Sequence, residues 1–188
     1  MKSIKKIIIV LIVTLSFLQT EAQTYKIDVS KSKITWIGKK VTGQHEGIVK
    51  FKDGNLIFKN KKLVGGNFNA DMKSLTNTDQ SGTSKMKLEG HLKSNDFFAV
   101  DDYPIANLIF KHIRNQGDNV YSISADLTIK GKTNPVKFDL VVKKNSAKAD
   151  FTLDRTKFDI KYGSGSFFDD LGDKTIYDDF DMNVNLVF

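Results

Sequence analysis

The chain contains no cysteine. That excludes a disulfide framework, thiolate chemistry and a lipid-modified cysteine at a mature amino terminus, so packing alone must hold the fold. Only three histidines are present, His45, His91 and His112, and none stands at HxH, HxxxH or HExxH spacing. No metal site is expected from such a set. Gly163-Ser164-Gly165-Ser166 lacks both the GxSxG frame and a following GK[ST], and reads as a flexible loop rather than a nucleophile elbow or phosphate loop. The acids Asp169, Asp170, Asp173, Asp178, Asp179 and Asp181 do not form an EF-hand frame and read as a solvated loop and strand face. No catalytic residue is assigned and no enzyme is expected.

Two further shortages narrow the partners. Lysine and arginine outnumber acids 29 to 22, but no stripe of base-stacking aromatics lies among the lysines. Nucleic acid is therefore not expected. Beyond the first residues, no segment is apolar for long enough to cross a membrane as a helix. The start itself has the grammar of a secretory signal. Lys2, Lys5 and Lys6 precede an apolar run from Ile7 to Leu18, and Thr20-Glu21-Ala22 supplies a cleavage site before Gln23. The expected division is a signal peptide at 1–22 and one domain at 23–188, periplasmic or secreted.

What the chain has in abundance is alternation. Tyr121, Ile123, Ala125, Leu127 and Ile129 share one face, with Ser122, Ser124, Asp126, Thr128 and Lys130 on the other. The pattern recurs at Val136 to Val142, Ala147 to Leu153 and Phe180 to Phe188. Earlier, Ile34 and Trp36 open the series, and Val64, Gly66, Phe68, Ala70 and Met72 continue it. Period two marks strands with one wet and one dry face. Asp53-Gly54 predicts a hairpin, Gly117-Asp118-Asn119, Gly131 to Pro135 and Lys144 to Ser146 predict turns, and Gly65-Gly66 predicts a bulge. Only Ser84 to Leu92 reads as helix, with Leu88 and Leu92 at i,i+4 and Met86 beside them.

One short helix cannot cover the dry faces of about eight strands, so those faces must cover each other in a sandwich or a closed barrel. Long strands and the hazard of open edges favour the barrel. Its interior is either fully packed or leaves an apolar channel for hydrocarbon. The candidate walls are Trp36, Phe68, Ala70 and Phe110, then Tyr121, Ile123, Ala125 and Leu127 on one strand. Phe138 and Leu140, Phe151, and Met182 and Val184 complete them. Between His91 and Pro104, Ser94 and Asn95 read as caps of a short turn, Phe97 and Phe98 as a plug for an apolar opening, and Pro104 as the start of a strand from Ile105 to Ile113.

Several motifs, in order, resemble the YceI-like family: YKIDVSKSKITWIG at 25–38, GQHEGIVKF at 43–51, HLKSNDFFAVDDYP at 91–104, ADLTIKGKTNPVKF at 125–138 and LDRTKFDIKYG at 153–163. The resemblance implies an all-β fold with a small helical insertion, an extended eight-stranded antiparallel lipocalin-like barrel. It further implies an isoprenoid lipid such as a quinone or polyprenyl phosphate in the barrel, transient membrane-surface contact for lipid exchange, no cofactor besides that lipid, and no catalysis. At family motif positions, His45, His91 and Arg155 are candidates to meet a polar head, although Arg155 could equally pair with Asp154 or another acid. Ala99 and Asp159 depart from the family pattern, the first where an acid is common and the second where glycine is. The rival functions are an enzyme on a small hydrophobic or lipid substrate, using His45, His91 and Asp96, and a packed-core stress or adhesion module.

Overall fold

The computed structural model describes residues 21–188. All but the last two positions of the expected signal peptide lie outside the described residues. The strands are β1 (Gln23–Lys26), β2 (Lys33–Lys40), β3 (Gly43–Lys59) and β4 (Lys62–Asn77). Helix α1 (Gly82–Lys93) follows, then β5 (Ile105–Gly117), β6 (Val120–Ile129), β7 (Lys132–Lys143), β8 (Ser146–Asp154) and β9 (Ile176–Val187).

Every strand pairing is antiparallel, and eight strands close on themselves. From β3 the ring runs through β2, β9, β8, β7, β6, β5 and β4, and β4 returns to β3. The short β1 lies beside the far half of β3, where Tyr25 is opposite Leu56. The closed barrel is thus the solution adopted, and the sandwich is not. β3 and β4, at 17 and 16 residues, are longer than the pattern suggested, because both run through bulges without ending.

The alternation does what its period requires. On β6, Tyr121, Ile123, Ala125, Leu127 and Ile129 are buried, while the serines, Asp126 and Thr128 between them are partly exposed. Apolar inside and polar outside is the reverse of a membrane-spanning barrel, whose outer band is apolar.

Several local readings give way to tertiary context. Asp53-Gly54 is not a hairpin: β3 continues through it with a register shift between Phe51 and Asp53, and β4 crosses it. The β3–β4 turn is Asn60-Lys61, both at positive φ of 52° and 62°, the pair of conformations that a two-residue I′ hairpin needs. A bulge is present, but at Val64 rather than at Gly65-Gly66, which pair in register with Ile57 and Leu56, and it changes the phase of β4. Leu63 is buried at 4% exposed and Val64 faces solvent at 50%, because the register slips between Ile57 and Phe58. Gly66 lets the Phe110 ring approach; a Cβ there would lie 2.7 Å from it.

The β6–β7 turn is Lys130-Gly131, at φ 48° and 70°, and Pro135 stands inside β7 opposite Asp126. It is tolerated because β8 pairs only the other end of β7, Val141 to Lys143, so no ladder partner there asks for an N–H. Met86 is exposed. Ser94 caps backwards, its hydroxyl donating to the His91 carbonyl at 2.8 Å. Gly163 to Ser166 is not a flexible loop: Ser164 is fully buried and bridges to Ile176. The strand expected to end at Ile113 continues to Gly117. Ala99 and Asp159 both take left-handed backbone, at φ 47° and 59°. At Asp159 this explains a position where glycine is usual, since aspartate tolerates that region better than most residues.

Strand direction sorts the connections. The β2–β3 turn, the α1 insertion, the β6–β7 turn and the long β8–β9 connection gather at one end of the barrel, called here the upper end. Near it, Gly47 passes so close to its neighbours that a Cβ would collide with the Thr76 carbonyl oxygen and stand 2.5 Å from the Trp36 ring. Gly47→Ala is expected to cost about 1–3 kcal/mol of stability by overpacking. Gly38→Ala, with nothing within 4 Å, should change it by less than about 0.5 kcal/mol. Urea denaturation of the two variants checks the contrast.

Candidate functional site: an apolar cavity with a polar rim

Small residues facing large ones leave the barrel incompletely filled. A cavity of about 220 Å³ runs within it. Ten of the thirteen wall candidates line it: Trp36, Phe68, Ala70, Phe110, Leu127, Phe138, Leu140, Phe151, Met182 and Val184. Tyr121, Ile123 and Ala125 are as deeply buried but lie outside the lining. They occupy the lower part of β6, where Tyr121 Oη lies 3.5 Å from the Leu63 amide. The wall also takes Met72 and Leu75 from β4 and Leu88 and Leu92 from α1. Their helical spacing was legible, but which cavity they would face was not.

The more exposed lining residues sit together at the upper end: Gly38 to Lys40, His45, Ile176 and Tyr177. There the β2–β9 ladder is irregular. Gly38 is opposite Phe180 and Lys40 opposite Ile176, so β9 carries two more residues across this interval than β2. Such a surplus bends the strand that carries it and raises its local twist.

Phe97 and Phe98 are buried in the lining, 5% and 8% exposed. Their ring centroids are 5.3 Å apart. Phe97 meets His91 edge-on at 5.6 Å, and Phe98 meets Phe180 at 6.3 Å. His91 also packs on Tyr162 at 4.3 Å, and its Nε2 is buried without a hydrogen-bond partner among the described residues.

Arg155 is buried, 1% exposed. Nε donates to the Tyr177 carbonyl at 3.1 Å, Nη1 to Ile160 at 2.8 Å and Nη2 to Ile176 at 2.9 Å. Asp178 lies 3.4 Å from Nη2, and the Phe97 ring centroid lies 5.6 Å from Cζ. Burial pushes the guanidinium below its ordinary value, opposed by Asp178 and Asp154. Burial works against the charge on Asp178 too, but the Ser164 and Ser166 hydroxyls and Arg155 hold its carboxyl below the usual range. The guanidinium therefore ties the 3-10 turn Arg155–Phe158 and the start of β9 into one unit. Asp178, not Asp154, is its acid partner within 4 Å.

His45 belongs to a second polar knot. Its Nδ1 lies 2.8 Å from Asp79 Oδ2, and Asp79 Oδ1 accepts from the Glu46 amide at 2.9 Å. Asn77, fully buried, donates to Asp79 and to the Glu46 carbonyl. Burial opposes the charge on Asp79, yet hydrogen bonds from His45, Glu46 and Asn77 outweigh it and hold the carboxyl at about 2. One helical residue completes the knot. Glu89 accepts from Thr76 Oγ1 at 2.5 Å and the Asn77 amide at 2.8 Å, and so pins α1 to the end of β4. The Asn77–Asp79 bond is local, but no short-range signal pointed to the knot, because the bonds that join it to His45, Glu46 and α1 span 12 to 34 residues.

Fold and cavity together define a lipocalin-like barrel, eight-stranded and closed, with an apolar interior open toward one end. The YceI-like domain model matches residues 25–188, and the chain belongs to that family. A UPF0312 protein of Pseudomonas putida is 29% identical over 126 residues, 64% of this chain and 62% of that protein. One from Pectobacterium atrosepticum is 34% identical over 88 residues, 46% of this chain and 43% of that protein. The chain thus matches about three fifths or less of the length of these relatives. Among solved structures, Burkholderia cenocepacia BcnA superposes with a TM-score of 0.71 at 23% identity, covering 86% of this chain and 99% of that one. A polyisoprenoid binding domain from Saccharophagus degradans, implicated in plant cell wall breakdown, gives 0.59 at 11% identity, covering 89% and 97%. Both likenesses establish the shared fold.

Arg155→Met should destabilise the protein by about 3–5 kcal/mol in urea denaturation, because it strands Asp178 and three carbonyls without their donor. The Asp79 knot sets a pH dependence. With its pKa lowered from 3.8 to about 2, its contribution is present above the ordinary value and is lost as pH falls through about 2. Asp79→Asn is expected to flatten the fall in stability between pH 4 and pH 2, measured by thermal melts across that window.

Proposed function

We propose that this chain is an exported isoprenoid-lipid binding protein that transports or stores an isoprenoid quinone or polyprenyl phosphate-type lipid with its tail in the barrel. The observation that carries the reading is the cavity wall, built from aliphatic and aromatic side chains drawn from every barrel strand but β7's ends and from α1. Such a wall gains about 0.8 kcal/mol for each methylene-sized group it takes from water, and it offers contact area in place of an array for bond making. The family and the name of the Saccharophagus domain support the same ligand class. Binding, not turnover, is the activity proposed.

Export rests on the amino-terminal lysines, the apolar run and the Thr20-Glu21-Ala22 site. Tyr162, Phe167 and Phe168 on the β8–β9 connection and Tyr177 at the start of β9 are each about half exposed at the upper end, which suits brief contact with a bilayer during exchange. Native mass spectrometry of the purified protein, before and after organic extraction, tests the reading. A prenyl lipid should leave with extraction and return on addition. Protein that carries no lipid and takes up neither quinone nor polyprenol would defeat it. Filling the cavity should act in the same sense: Ala70→Trp is expected to weaken uptake at least tenfold, about 1.4 kcal/mol, with the strand-type circular dichroism spectrum retained.

A further inference from the structure

We infer that the seam between β7 and β8 is a lateral gate, through which a ligand's chain passes sideways when the Phe138 and Phe151 rings part. The inference rests on the reading of the barrel as a lipid-binding protein and adds the route by which its interior is reached.

The ring is laddered unevenly. β6 and β7 pair from Val120 opposite Val141 to Ile129 opposite Lys132, and β8 and β9 from Ser146 opposite Val187 to Asp154 opposite Asp179. β7 and β8 pair only at their lower ends, Val141 with Lys148, Val142 with Ala147 and Lys143 with Ser146. Above these both strands continue, to Lys132 and to Asp154, with no ladder between them. Carrying the register upward sets Phe138 against Phe151, and their rings are stacked, with centroids 4.8 Å apart and planes 20° from parallel. Both line the cavity, as do Leu140, Ala149 and Leu153 beside them. On the outer face the same register sets Lys137 against Thr152 and Asp139 against Asp150, all four exposed.

The residues along the seam work against pairing. Like charges directly opposite repel, and Asp139 faces Asp150. Asp150 instead accepts from Asn183 on β9 and pairs with Lys148 at 3.1 Å. Pro135, which falls against Asp154, has no N–H to give. The slit is bounded all the same. Below it stands the short ladder, and above it Asn134 Nδ2 donates to the Lys157 carbonyl at 2.7 Å, fastening the 3-10 turn to β7. Between those fastenings, side chains close the wall.

A barrel that admits a chain opens where opening costs least. Parting Phe138 from Phe151 breaks no ladder hydrogen bond, while every other neighbouring pair in the ring has a longer ladder. β4 and β5 are also unladdered below Asn67 and Ile109, but Leu63 and Ile113 there lie outside the cavity lining. At the upper end the Arg155 and Asp79 knots are in the way, and Phe97 and Phe98 are buried in the lining.

Trp36 is the single tryptophan and lines the cavity, so its fluorescence times the uptake of decylubiquinone or of farnesol by lipid-stripped protein in stopped flow. The chain has no cysteine, so Lys137→Cys/Thr152→Cys places one thiol pair on the outside of the seam. Oxidised, this variant is expected to take up and release both probes about tenfold more slowly or worse, with Kd unchanged. Reduction, followed by removal of the reductant, should restore both rates. Thr128→Cys/Thr133→Cys, across the paired β6–β7 ladder, should leave the rates unchanged when oxidised. Asp139→Lys, which sets an opposite charge against Asp150, tests the seam without a covalent lock and should slow uptake roughly two- to fivefold. Uptake at the wild-type rate through the oxidised seam overturns the inference, and so does equal slowing by the Thr128–Thr133 lock. Where the seam thiols do not oxidise, an unchanged rate in Asp139→Lys overturns it. If unlocked protein takes up neither probe, the lipid-binding reading itself fails and the gate falls with it.

Discussion

One constraint governs the described residues: eight strands each present an apolar face, and among those residues a single twelve-residue α-helix is all that is available to cover them. The faces can be kept from water only by turning them toward one another. Closure does this, with the ring most sparsely paired between β7 and β8, which share only Val141 to Lys143 of β7. Because the strands are long and the inward residues alternate between aromatic rings and alanine or glycine, the enclosed volume is not filled. The cavity is thus a geometric consequence of closing this ring with these side chains, and it inherits the apolar character of the faces that made it.

The upper end shows how polar chemistry is used around such an interior. Two knots hold it, and neither is spare surface charge. Arg155 satisfies the carbonyls of a connection that leaves the sheet after β8 and rejoins it at β9. Asn77, Asp79 and Glu89 hold α1 and the β2–β3 turn to the end of β4. Arg155 and Asn77 are buried at their centres while Asp79 stands at the surface, and both knots satisfy backbone groups that a strand ending near an apolar cavity would otherwise leave unmatched. Between them the β2–β9 ladder is irregular, β9 carrying two surplus residues between its partners of Gly38 and Lys40.

The interior is correspondingly sparse in polar atoms, which gives weight to those that remain. Trp36 and His91 are the two cavity-lining side chains with buried nitrogens that find no partner among the described residues. Arg155, the one arginine in the lining, spends its donors on the protein. Cations reach the cavity wall only near the rim.

The sequence by itself determined the dry and wet faces, the scarcity of helix, and hence a closed or stacked β architecture, since period two survives wherever a strand has one buried side. Motifs along the chain carried the family. Ten of the thirteen wall positions read from the sequence line the cavity, because inward direction follows from alternation once a strand's phase is known. Phase is where local reading stopped. A bulge beside Gly65-Gly66 was legible, but that it falls at Val64 and turns Leu63 inward depends on how β3 pairs with β4. Asp53-Gly54 resembles a turn and is not one, since β4 and β1 continue the sheet across it. Pro135 resembles a strand end and is not one, since β8 makes no demand on its side of β7. Tertiary structure alone decided the partners of Arg155, the Asn77–Asp79–Glu89 knot and the open stretch of the rim. Each joins residues distant in sequence through hydrogen-bond geometry, and no local pattern encodes which donor will stand opposite which carbonyl until the ring has closed.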